Sequence, residues 1–168
     1  MITALILQWK ANLLKKKLNN MPVDKKIIYR KIKFINKDLS SLMPFSQMPL
    51  EEYLAKGEYE VLAERYLERI IGRMIDINYH ILSEAENQMP DDYFNSFIDM
   101  GKKNYLPMGL AESLKNSAGL RNRLAHEYDE IDEKKILKAI KMCLKEVPEY
   151  LKYIIDFIEK GAKQKKMI

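Results

Sequence analysis

Cysteine, glycine, proline and long apolar runs are all scarce in this chain of 168 residues. The single cysteine, Cys143, cannot form an internal disulfide, which favours a reducing compartment. Six glycines and six prolines are too few for a loop-rich all-β fold. No apolar run approaches the roughly 20 residues that span a bilayer. The first residues also lack the basic leader and the cleavage site of a signal peptide. We therefore predict one cytoplasmic protein with no membrane partner.

The net charge of +5 is distributed unevenly along the chain. Residues 1–40 carry ten basic and two acidic side chains, and residues 160–168 carry four lysines and no acid. The stretch between them has fifteen basic and twenty-two acidic residues. Basic ends on an acidic body are compatible with binding a nucleic-acid backbone by counterion release. Runs of like charge more often mark solvated helix ends, so the charge pattern alone does not indicate nucleic-acid binding.

Apolar residues recur at helical spacing along the chain, and no stretch alternates convincingly with period two. Asp24 is predicted to cap a helix that Ser40-Ser41 and the stretch 43–49 end. Its apolar positions are four or three residues apart: Ile28, Ile32, Ile35 and Leu39. A short helix is expected near 50–56. Residues 58–86 form the longest segment, with a predicted apolar face of Leu62, Tyr66, Ile70, Met74, Ile77 and Ile81.

Three further helices are expected after residue 89. The first begins at residues 89–92 and stops near Gly101. Pro107 opens the second. Asp132 caps the third, which Pro148 kinks and Gly161 ends. The predicted fold class is all-α, an up-and-down bundle of four to five helices that forms a dimer. We assign residues 1–20 to an N-terminal helical extension, 21–161 to the bundle domain and 162–168 to a basic tail.

Several kinds of catalytic site have no support in the sequence. It contains no HExxH pattern, no Cys/His cluster and no P-loop, so metal-dependent and nucleotide hydrolysis are not indicated, and no metal site is predicted. His80 follows Asp76 by four residues, which favours a local ion pair or a hydrogen-bonded histidine at a helix interface. Ser113 and Ser117 precede His126, but no strained elbow of the kind that activates such serines is present.

The informative segment is 121–128, where polar side chains cluster on a predicted helix. At about 100° per residue, Arg121, Ala125 and Tyr128 share one stripe, and Asn122 and His126 form the next. Arg121 and His126 then stand about 140° apart. Either the helix ends between them, or a second copy related by a twofold axis supplies the complement.

An arginine and an imidazole suit one reaction in particular. The imidazole transfers protons, and the guanidinium neutralises charge that develops on a phosphate. RNA supplies its own nucleophile, the 2′-hydroxyl, so its cleavage needs neither a metal nor an enzyme nucleophile. The alternative is a polar helix end, with Arg121 or His126 contacting Glu127 at the surface. On spacing alone, that alternative is the more common one.

At these residues the sequence resembles the HEPN superfamily, and specifically the HepT toxins of HEPN/minimal-nucleotidyltransferase (MNT) pairs. The HepT motif, R-x4-H-x-Y, is matched by Arg121, His126 and Tyr128, with Asn122 as the polar second position. Residues 61–82 and 90–97 also resemble that branch. The similarity extends over roughly residues 24–158, and residues 1–20 have no recognised counterpart.

The resemblance implies a dimer in which two motifs face a shared cleft, and a metal-independent, cofactor-free endoribonuclease toxin. His126 would be the general acid/base, Arg121 would bind the scissile phosphate, and Asn122 would orient both. Arg123 either contacts phosphate or only faces solvent. Tyr128 is the position that an MntA-like nucleotidyltransferase antitoxin modifies with AMP, and the added charge would repel RNA. The expected partners are RNA, a second copy of the chain and that antitoxin.

Two other functions remain open at this point. The chain is alternatively a non-catalytic HEPN dimer that serves as a nucleotide-binding or partner subunit of a nucleotidyltransferase. The intact motif counts against this without excluding it. A third possibility is a structural helical dimer whose polar motif only fixes the register.

Overall fold

The computed structural model describes residues 23–126 and 132–165, and every regular element in these ranges is an α-helix. Four helices are long and two are short. In chain order they are α1 Lys25–Gln47, α2 Leu50–Leu54, α3 Gly57–Glu86, α4 Tyr93–Lys102, α5 Met108–His126 and α6 Glu133–Lys165. The predicted all-α bundle is confirmed. The predicted N-terminal extension, 1–20, lies outside the described residues.

Helix α3 is the central element of the bundle and packs against all five of the others. Helices α1 and α6 pack against each other on one side of α3, while α4 and α5 pack closely together on another side. Its buried side chains form a stripe from Ala63 through Leu67, Ile70 and Met74 to Ile81. Because α5 lies against both α3 and α4, the rigid core sets the direction in which α5 presents its polar end.

Aspartates start three of the helices, as their short side chains favour. The Asp24 carboxylate accepts a hydrogen bond from the Lys26 backbone N–H at 2.9 Å, and the Asp132 carboxylate accepts one from Lys134 N–H at 3.0 Å. Both predicted caps are confirmed. Asp92 caps α4 by accepting from the Asn95 N–H at 2.6 Å, so the first residue of α4 is Tyr93.

The predicted ends of two helices are wrong, and tertiary packing explains the first. Helix α1 continues past Ser40-Ser41 and through Pro44 to Gln47. Leu42 and Phe45 flank the proline and are buried, and the Phe45 ring packs edge-on against Tyr53 and Tyr59. This burial outweighs the backbone hydrogen bond that proline removes. Helix α6 likewise continues through Gly161, since a glycine weakens a helix without ending it.

Helix α4 ends at Lys102, so its predicted end near Gly101 is confirmed. A Cβ on Gly101 would lie 2.9 Å from the Ala111 Cβ. Glycine therefore allows α4 and α5 to approach closely. Leu62 is exposed, so the buried face of α3 begins at Ala63 instead.

Two polar clusters lie within the bundle and link its helices. Asp38 of α1 is buried and pairs with both Arg69 and Arg73 of α3, at 3.0 Å for Arg69. A second cluster joins α6, α3 and α4. The buried Tyr150 hydroxyl donates to Asn78 Oδ1 at 2.8 Å, and Asn78 Nδ2 donates to Ser96 Oγ at 3.4 Å. Buried polar groups that are paired in this way fix the relative positions of the helices that carry them.

Candidate active site

The polar motif occupies the last two turns of α5. Leu110, Ala111, Leu114, Ala118 and Leu124 are the buried residues of this helix and hold it against α3 and α4. The helix begins directly after Pro107, whose carbonyl accepts from the Ala111 N–H at 3.0 Å. Its regular structure continues to His126, so α5 does not end between Arg121 and His126.

The predicted motif residues differ in exposure. Arg121 is half-buried, whereas Asn122, Arg123 and His126 are exposed. Along a regular helix, Arg121 and His126 project about 140° apart. The described part of one chain therefore presents the imidazole outward, while the guanidinium is turned toward α4. Tyr128 and Glu127 lie outside the described residues.

An aromatic pair that the sequence analysis missed lies beside Arg121. The Arg121 guanidinium carbon is 5.2 Å from the centre of the Tyr93 ring, within the range of a cation–π contact. The Tyr79 ring meets Tyr93 edge-on, with centroids 6.2 Å apart. Burial raises the pKa of the Tyr79 phenol, as do the neighbouring Tyr93, Asp92 and Asp91 side chains, so Tyr79 stays neutral at physiological pH.

A similar contact lies one residue along α4. The Lys115 ammonium is 5.0 Å from the centre of the Phe94 ring, which is exposed. Two neighbouring residues at the start of α4 thus each meet a cation from α5. Helical spacing within α5 does not reveal these contacts, because they depend on how α4 packs across it.

The other histidine and the two serines have local roles, as the sequence favoured. His80 Nε2 accepts a hydrogen bond from the Asp24 backbone N–H at 3.1 Å, so it joins α3 to the start of α1. Asp76 pairs with Lys31 of α1, at 2.6 Å. Ser113 donates to Glu146 at 2.6 Å, and Ser117 donates to a backbone carbonyl within α5. His80 is therefore a hydrogen-bonded interface histidine.

Neither a reactive thiol nor a clustered metal-ligand set occurs in the part of the chain that the structure describes. Among residues 23–126 and 132–165, no three His, Cys, Asp or Glu side chains are grouped to hold a metal ion. Cys143 is buried, and burial raises the pKa of its thiol to about 12, so it is not a thiolate near neutral pH. Within the same ranges no helix is both long and apolar enough to cross a membrane. The end of α5 that carries Arg121 and His126 is therefore the candidate active site.

A family model described as "Ribonuclease HepT-like" matches residues 35–154, a range that includes the whole motif. The chain belongs to the ribonuclease HepT-like family. This membership confirms the resemblance found in the sequence and the predicted enzyme class, an endoribonuclease.

Two curated relatives and one solved structure show how far the HepT likeness extends. The tRNA nuclease HepT of Aphanizomenon flos-aquae is 37% identical over 132 residues, which cover 79% of this chain and 90% of that protein. The mRNA nuclease HepT of Shewanella oneidensis is 26% identical over 88 residues, 52% of this chain and 66% of that one. A structure of a tri-AMPylated Shewanella oneidensis HEPN toxin in complex with an MNT antitoxin has a TM-score of 0.72 at 21% identity, covering 79% of this chain and 99% of that chain. At that identity, the structural match shows the HEPN-like fold alone.

Proposed function

We propose that this HepT-like protein is a metal-independent endoribonuclease toxin of an HEPN/MNT toxin–antitoxin pair. The observation that carries the proposal is the placement of Arg121, Asn122 and His126 on the last two turns of one helix, with the imidazole exposed. Family membership and the nuclease names of the relatives support it. One relative is named as a tRNA nuclease and another as an mRNA nuclease, so we propose RNA as the substrate class without choosing between them.

In the proposed reaction, His126 takes the proton from a ribose 2′-hydroxyl, whose oxygen attacks the adjacent phosphorus. The bond between phosphorus and the 5′-oxygen breaks, and that oxygen takes up the proton from the imidazolium, directly or through water, which regenerates the His126 base. The products are a 2′,3′-cyclic phosphate and a free 5′-hydroxyl. Arg121 neutralises the charge that develops on the phosphate, Asn122 orients the reacting groups, and exposed Arg123 offers a further phosphate contact.

The divergence of Arg121 and His126 supports a dimeric site. Since the two side chains project about 140° apart on α5, one helix does not aim both at a single phosphate. A twofold axis beside this end of α5 would place the His126 of one protomer opposite the Arg121 of the other. We propose that two copies of the chain form one shared cleft in this way.

Regulation is proposed to act through Tyr128. An MntA-like nucleotidyltransferase would transfer AMP from ATP to its phenol, two residues beyond His126, with release of pyrophosphate. The modification adds bulk and negative charge next to a site that has to receive an RNA phosphate. The solved Shewanella oneidensis complex, an AMPylated HEPN toxin with its MNT antitoxin, is the precedent for this proposal.

The test is cleavage of total RNA by purified protein in EDTA, with the product ends analysed. We expect cyclic-phosphate ends, and a loss of about 10²–10⁴-fold in rate for His126→Ala with an unchanged circular dichroism spectrum. Asn116→Ala is the matched control, because Asn116 is also exposed on α5, and we expect it to retain activity. Equal activity in His126→Ala, or cleavage that requires a divalent metal, would contradict the proposal. So would a protein that binds a nucleotidyltransferase but cleaves no RNA.

A further inference from the structure

The Tyr93 ring lies against the guanidinium of Arg121, at 5.2 Å from ring centre to guanidinium carbon. An arginine side chain has large rotamer freedom, which it loses when it has to hold a phosphate in one geometry. A contact that already restricts the side chain lowers this entropic cost. The ring accepts no conventional hydrogen bond, so the guanidinium N–H donors remain available for phosphate oxygens. A carboxylate in the place of the ring would compete with the phosphate instead.

Tyr93 is itself held by the interior of the bundle. Its backbone carbonyl accepts from the Ser96 hydroxyl at 2.7 Å, and Ser96 accepts in turn from Asn78. Asn78 is fixed by the buried Tyr150 of α6. The Tyr79 ring of α3 packs against the Tyr93 ring in a T-shaped arrangement, with an interplanar angle of 78°. The start of α4, which carries the Tyr93 ring, is therefore tied to the core through this hydrogen-bond chain and through the Tyr79 ring.

We propose that Tyr93 is a positioning residue, which orients Arg121 toward the phosphate through the cation–π contact; this rests on the proposed nuclease function. Tyr93 acts through Arg121 and does not itself touch RNA. Its role is to fix the guanidinium before the substrate arrives, so that the charge developing in the transition state meets a preorganised partner.

The kinetic test compares Tyr93→Leu with Tyr93→Phe on a single RNA oligonucleotide. We expect Tyr93→Leu to lower kcat about tenfold with KM changed less than about twofold, within the range that one cation–π contact supports. Tyr93→Phe keeps the ring and should keep kcat within about twofold.

The chain offers a closely matched control in Phe34. Its ring lies 5.2 Å from the guanidinium carbon of Arg73, and Phe34 and Tyr93 are both 37% exposed. Phe34 is on α1, and Arg73 pairs with Asp38 rather than belonging to the motif. Phe34→Leu removes an equivalent contact and should leave kcat and KM unchanged. An equal fall in kcat for both leucine variants would overturn the proposal, because it would show a general effect of losing a surface ring.

A spectroscopic measurement keeps the positioning role separate from nuclease activity. The Arg121 Nε–H proton should show an upfield ring-current shift in NMR spectra of the free protein, retained in Tyr93→Phe and lost in Tyr93→Leu. An unchanged Arg121 Nε–H resonance in Tyr93→Leu would overturn the proposal. A raised KM with unchanged kcat in that variant would also overturn it, because that result would indicate that the ring contacts RNA directly. If the wild-type protein cleaves no RNA but shows the shift, the proposed function fails while the contact stands.

Discussion

Replacing Asp38 by asparagine tests whether the buried ion pairs between α1 and α3 stabilise the bundle. The Asp38 side chain is 2% exposed and faces Arg69 and Arg73, which are 37% and 20% exposed. Asparagine keeps the volume but removes the negative charge, which leaves two arginines without their partner. Breaking a buried pair costs about 3–5 kcal/mol. Because both arginines keep some contact with water, we expect the lower end, about 3 kcal/mol.

Urea unfolding followed by circular dichroism measures this loss directly. The midpoint should fall while the slope stays the same, since the fold and the buried surface are unchanged. In a thermal scan, the same loss corresponds to a Tm lower by about 6–12 °C for a chain of this size. Asp76→Asn is the matched control. It breaks another α1–α3 pair, with Lys31, but the Asp76 side chain is 57% exposed, so it should cost less than about 1 kcal/mol. Small and equal losses in the two variants would refute the reasoning.

Two further changes probe packing and burial. Gly101→Ala would place a Cβ 2.9 Å from the Ala111 Cβ, so we expect a loss of about 1–3 kcal/mol in thermal or urea unfolding, whereas Gly109→Ala, with open space around it, should not destabilise the protein. Because burial raises the Cys143 pKa from 9.0 to about 12, the folded state disfavours its thiolate. The stability this contributes is complete below pH 9 and is lost as pH rises toward about 12. Cys143→Ala should therefore flatten the decline of stability in that window, and an identical decline in the two proteins would contradict this.

The helices could be predicted from sequence where apolar spacing and local capping agree. Ile28, Ile32, Ile35 and Leu39 follow the spacing of one helical face, and all four are buried. The end of α1 could not be predicted in the same way. Whether a helix continues through Pro44 depends on the burial of Phe45 against residues that arrive later in the chain. Gly101 is similar, because its role is set by the distance to α5 and not by its neighbours in sequence.

The candidate site shows the same division between local and long-range information. The divergence of Arg121 and His126 follows from 100° per residue and needs no tertiary structure. The contact between Arg121 and Tyr93 does need it, because twenty-seven intervening residues carry no periodic signal that links the two. The polar motif could be predicted from the sequence. The contact between Arg121 and the Tyr93 ring became visible only from the packing of α4 on α5. Tyr128 stays a prediction, since it lies outside the described residues.

The proposed site requires Arg121 and His126 to act together across a twofold pair of chains, and mixing two inactive variants tests this requirement. Arg121→Ala and His126→Ala, each inactive alone, are unfolded together, refolded as a mixture and assayed for RNA cleavage. About half of the dimers would be mixed, and each would contain one complete site of two, so we predict about a quarter of the wild-type activity. A mixture as inactive as its two components would contradict the shared site, and full activity in either single variant would contradict the role of that residue.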